Sequence, residues 1–129
     1  MKLNVDKTTK KTGLLSKKEV QFAKVTLTLS EEEKAALYAF YNPKDSGTDM
    51  ELVAFHPMGE TKNHPVKFRL GSVVSDLRKG KTVQFNLSAR TAVEREMLVQ
   101  EFTENMSKAK SIFMANAALS GDSSEEIEL

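Results

Sequence analysis

The chain has 129 residues, a formal net charge of +1 and no cysteine. That length suffices for one packed domain, and the missing thiols exclude disulfides, cysteine-ligated zinc, iron–sulfur clusters and thiol nucleophiles. No stretch reaches the roughly 18 to 20 apolar residues of a membrane span and the start carries no secretory signal, so a cytosolic protein without membrane contact is expected.

Residues 2–8 alternate weakly, with Leu3 and Val5 on one side. Residues 19–29 alternate clearly: Ala23, Val25, Leu27 and Leu29 oppose Lys24, Thr26 and Thr28. This is the period of a half-buried strand. KKTGLLSKK lies between the two, with Gly13 suited to a turn, so a basic hairpin is predicted. Residues 1–29 hold seven lysines against Asp6 and Glu19.

SEEEKAALYAFYNP follows. Ser30 and Glu33 have capping-box spacing, three glutamates complement a helix N-terminus, and Asn42-Pro43 ends the run. Leu37, Phe40 and Tyr41 share a face. DMELVAFH then reads as a strand with apolar residues on both faces, Met50, Leu52 and Ala54 against Val53 and Phe55, the mark of a central strand. VKFRL is another, with Val66, Phe68 and Leu70 in phase. SVVSDLRKG predicts a short helix capped by Ser72 and closed by Gly80, and TVQF a short strand.

The last helix is predicted from near Ser88 to about Leu119, with Asn86 and Ser88 as capping residues. Its seam steps by three and four through Val99, Phe102, Met106, Ala109 and Phe113, widened by Leu98 and Ile112. The fold class is therefore α+β in the order β-β-α-β-β-α-β-α: an antiparallel or mixed sheet of about five strands, packed by one capped helix and one long C-terminal helix. Residues 1–119 form the domain, and 120–129 an acidic tail without period, read as disordered.

Three chemistries compete for the function. His56 and His64, with Glu60 between them, have the spacing H-x₃-E-x₃-H, which would put three metal ligands on one helical face. Each histidine precedes a proline, which disfavours helix there, and Gly59 loosens the middle, so the stretch reads as a connector and the metal site or enzyme is the minor reading. Gly80-Lys81-Thr82 ends like a phosphate loop, but the required earlier glycine is Ser75 and the order of helix and strand is reversed. No catalytic constellation and no cofactor are expected.

Nucleic acid is the second candidate. Lys7, Lys10, Lys11, Lys17, Lys18 and Lys24 gather on the hairpin, where they would hold phosphates without reading sequence. No arginine is there to read guanine, and no aromatic residue is expected near the tip to stack on a base. The leading expectation is a non-catalytic protein-binding or adaptor module that forms a homodimer. Leu14 and Leu15 at the hairpin tip and Ile112, Phe113 and Met114 on the long helix are its contact residues, because a helix of that length needs cover that another protein or a second copy would supply.

Overall fold

A computed structural model of the chain describes residues 1–12, 18–55, 66–119 and 128. Its elements are β1 (Lys2–Thr12), β2 (Lys18–Thr28), α1 (Glu31–Phe40), a 3₁₀ turn at Ser46–Thr48, β3 (Glu51–Phe55), β4 (Val66–Arg69), α2 (Leu70–Arg78), β5 (Val83–Ala89) and α3 (Ala92–Leu119). This is the α+β order that the sequence pattern predicts. The five strands are shared between two antiparallel sheets, one in the order β1-β2-β5 and one formed by β3 and β4.

The alternation of β2 is realised as written. Ala23, Val25 and Leu27 are buried, and register pairs them with Leu87, Phe85 and Val83 of β5. β5 is longer than TVQF suggests. Val83, Phe85, Leu87 and Ala89 are all buried with exposed residues between them, so Asn86 and Ser88 are strand residues rather than helix caps. The start of α3 is instead fixed by Thr91, whose Oγ1 accepts from the Glu94 amide at 3.1 Å, while the Glu94 carboxylate accepts from the Arg90 amide at 3.2 Å. Thr-x-x-Glu carries the spacing of a capping box three residues later than Ser88.

β3 is not central, since among the described residues it pairs with β4 alone. The pairing shifts between Glu51 and Val53. A bulge of this kind re-aims side chains, and the consecutive residues Leu52 and Val53 are both fully buried, which is what imitated a strand covered on both faces.

α2 also begins earlier than Ser72. It runs straight on from β4 with Arg69 at the cap position and no side-chain cap there. Asp49 supplies the missing acceptor from 22 residues away, taking the Gly71 amide at 2.8 Å. A Cβ at Gly71 would stand 2.7 Å from the Tyr41 hydroxyl and 3.0 Å from Asp49 Oδ1, so a larger residue there would push these side-chain ends aside. At the other end Gly80 has φ +69°, the left-handed residue that closes the helix as predicted.

α3 has 28 residues, about 42 Å at 1.5 Å per residue. Leu98, Phe102, Met106, Ala109 and Phe113 form its buried stripe, and it lies against α1, β2, β3 and β5. Phe102 meets Phe85 of β5 at a centroid distance of 4.7 Å and Phe68 of β4 at 6.3 Å, and Phe68 meets Phe85 edge-on at 4.9 Å. Through these rings one hydrophobic cluster joins both sheets to the helix.

The capping box of α1 is present in full, and its Glu33 does more than cap. The carboxylate accepts from the Met1 ammonium at 2.6 and 2.7 Å, from the Ser30 amide at 2.9 Å and pairs with Lys110 of α3 at 3.2 Å. Burial pushes the acid up, but the hydrogen bonds from the Met1 ammonium, Ser30 and Lys110 outweigh it and bring it down to about 2. Glu33 therefore ties β1, α1 and α3 together at one point.

Candidate nucleic-acid interface

Directly opposed residues of an antiparallel pair share one face of the sheet, so the registers assign every position of the three-stranded sheet to one of two faces. Leu3 lies opposite Leu27, Val5 opposite Val25 and Lys7 opposite Ala23, which makes these the inner face. Lys10 lies opposite Val20, Thr8 opposite Phe22 and Asp6 opposite Lys24. Across the other edge of β2, Phe22 pairs with Ser88, Lys24 with Asn86 and Thr26 with Gln84. That second set is the outer face, and among the described residues it is open: all of its β1 and β5 positions are exposed, as is Lys24.

The described hairpin lysines therefore divide between two faces. Strand alternation sends Lys2, Lys10 and Lys24 outward and Lys7 and Lys11 inward. Lys7 is neutralised there by Glu96 of α3, Nζ to Oε1 at 2.6 Å, and this lysine holds the Glu96 carboxyl below its ordinary value against a smaller opposing effect of burial. The neighbouring Arg95 donates from Nη1 to the Thr8 carbonyl at 3.2 Å. On the same face Thr9 donates to the buried Gln21 at 2.7 Å. The bonds of Glu96 and Arg95 fasten the hairpin to the first turns of α3, and among the described residues the outer face stays unobstructed. Lys2, Lys10 and Lys24 form no ion pair among the described residues.

An aromatic residue does stand among the outward lysines. Phe22 is half-buried and is not one of the side chains packed against the core. The Lys10 ammonium lies over its ring, 5.7 Å from the centroid. Beside the ring is a depression of about 300 Å³, bounded by Asp6, Thr8 and Lys10 on one side and by Lys24 and Asn86 on the other. Neither Phe22 nor Asn86 stands out in the sequence as a site residue, yet the signal is there: Phe22 is in phase with Lys24 and Thr26 and out of phase with Ala23 and Val25.

The other sequence-predicted residues fall differently. Leu14, Leu15, Lys17 and the side chain of Lys18 lie outside the described residues. So do His56, Glu60 and His64 and the tail from 120 onward, apart from Glu128. Phe113 is fully buried in the chain's own core, Met114 is half-buried against it and Ile112 is 47% exposed. Among the described residues, no group of three His, Asp or Glu side chains is placed to hold a metal ion, and no helix is long and apolar enough to cross a membrane.

A second depression, of about 500 Å³, lies at the start of α2 between Tyr41, Lys67, Arg69 and Ser72. Its helix amide is already taken by Asp49, whose carboxylate occupies the place where an anion would bind. No protein family, no curated protein and no solved structure matches the chain, so what the site does rests on its own residues.

Proposed function

We propose that the protein is a non-catalytic binding module that holds a nucleic-acid backbone, without reading its sequence, on the open face of the three-stranded sheet. The observation that carries this reading is the sorting of the lysines. On the inner face Lys7 is paired with Glu96, whereas Lys2, Lys10 and Lys24 face outward without an ion pair among the described residues. Lys2 and Lys10 are eight residues apart on β1, about 27 Å at 3.4 Å per residue, so the charges are spread along a track rather than focused on one small anion. Asp6 is the single acid among them.

Lysine without arginine supplies point charges, not bidentate base recognition. Binding of this kind weakens steeply with salt. With three phosphates neutralised, log K falls against log salt with a slope of about −2 to −3. The test is affinity for oligonucleotides of unrelated sequence, followed by fluorescence anisotropy across a salt series. Lys10→Glu with Lys24→Glu abolishes binding to all of them, while Lys7→Glu leaves it nearly unchanged. Retained binding in the Lys10, Lys24 variant defeats the reading.

A protein-binding or self-associating role is the second reading, favoured by the exposure of Ile112 and of Leu119, the latter at 86%. Against it stands the cover that α3 already receives from α1, β2, β3 and β5. Native mass by light scattering tests it, with Ile112→Glu as the variant that would dissociate a dimer.

A further inference from the structure

We infer that the chain held on this face is a single strand of nucleic acid with one base stacked on Phe22. The inference rests on the reading above, that a nucleic-acid backbone lies along the sheet face. Its own evidence is the ring rather than the charges. Phe22 sits on the middle strand of the open sheet, opposite Thr8 on β1 and Ser88 on β5. It belongs to the outer face, half-buried there, and is not among the side chains packed against the core cluster. A solvated sheet face asks for threonine and lysine at such a position, as it has at Thr26 and Lys24. A phenyl ring there offers a flat apolar surface, and the depression of about 300 Å³ beside it gives a planar group room to settle.

The surroundings of the ring fit a base and its two flanking phosphates. Lys10 and Lys24 lie on either side of Phe22, so phosphates on both sides of a stacked base meet an ammonium each. Lys10 covers the ring in the free protein and moves off it to a phosphate when the base arrives. Asp6 and Asn86 border the same depression. The carboxylate repels phosphate from the centre of the site and accepts from base N–H groups, and the amide both donates and accepts, so base edges are met in more than one way. A duplex keeps its bases within the stack and cannot offer one to Phe22, whereas splayed single strands stack readily on aromatic side chains. A polyphosphate brings charge without a planar ring.

The experiment uses the full chain and three probes: a labelled oligothymidylate of about 15 nucleotides, a labelled duplex of the same length, and long-chain inorganic polyphosphate. Wild type is expected to bind the single strand more tightly than the duplex. Phe22→Leu weakens the single strand by between about 5- and 150-fold, the range for losing one base–aromatic stack, and leaves polyphosphate binding unchanged. Phe22→Tyr restores the single-strand affinity.

Duplex bound as tightly as single strand by wild type overturns the inference with no variant needed. So does a folded Phe22→Leu that keeps full single-strand affinity, or one that loses polyphosphate to the same degree. Each of these leaves the phosphate-binding reading standing, whereas failure of wild type to bind any of the three probes at low salt removes both.

Discussion

Replacing Glu33 with glutamine removes one negative charge, with little change of shape, from the point where β1, α1 and α3 meet. The Met1 and Glu33 side chains are only 10% and 7% exposed, so the ion pair sits in largely buried surroundings, and the ammonium is left facing an amide in the variant. Hydrogen bonds to charged groups contribute about 1.5–3 kcal/mol. The Lys110 pair adds little, because its side chain is 39% exposed and screened. The Ser30 amide keeps an acceptor in the glutamine carbonyl, and Glu31 and Glu32 still complement the helix N-terminus. Together these put the loss at about 2–3 kcal/mol, a large part of the roughly 5–15 kcal/mol of a typical domain.

The pH dependence carries an independent check. The Glu33 carboxyl is lowered from an ordinary 4.5 to about 2 in the folded chain. A depressed acid contributes stability that is fully present above its unfolded value and is lost as pH falls through the folded one. The gap between wild type and Glu33→Gln is therefore constant above about pH 5 and closes between about pH 4.5 and 2. Urea unfolding followed by circular dichroism at neutral pH and through that acid range measures it. A neutral-pH gap below about 0.5 kcal/mol, the level of an ordinary surface substitution, refutes the account of Glu33 as a hub, as does a gap that does not narrow in acid.

Asp49→Ala removes the only side-chain acceptor described for the Gly71 amide at the start of α2. A loss of about 0.5–2 kcal/mol is expected in urea unfolding, and Asp49→Asn, which keeps an acceptor oxygen, recovers most of it. Phe102→Ala empties the junction of the three rings that links both sheets to α3, and about 3–5 kcal/mol of stability goes with it. A thermal melt within a few degrees of wild type would show that these rings do not bind the two sheets into one core.

Local physics made most of the elements legible. Ser30 and Glu33 three residues apart, and the alternation from Ala23 to Leu29, act through neighbours in the chain, and both are realised as read. The errors lie where the partner is distant. Ser72 was a reasonable cap for α2 until Asp49 was brought to Gly71 by tertiary structure. The strand DMELVAFH looked central because a bulge buries Leu52 beside Val53, and no pattern within the strand says which partner it will pair with. The start of α3 was misplaced for another reason: Asn86 and Ser88 are good caps by type, but they fall on the exposed phase of a buried-exposed alternation that runs unbroken to Ala89.

The same period of two sorts the charges of the hairpin. Counted along the chain, its lysines make one basic cluster. Counted by the period of two that the strands require, they are two sets with different fates. Lys7 and Lys11 fall with Leu3 and Val5 and face the side that α3 covers, where Glu96 pairs with Lys7. Lys2, Lys10 and Lys24 fall with Phe22, which no core residue covers. A face that only had to stay in water would have no use for that ring, and an edge that only had to repel other strands would be served by the lysines alone. Among the described residues the ring and the unpaired lysines occur together on one open phase of the sheet, and charge with a flat apolar surface is the combination used to hold single-stranded nucleic acid.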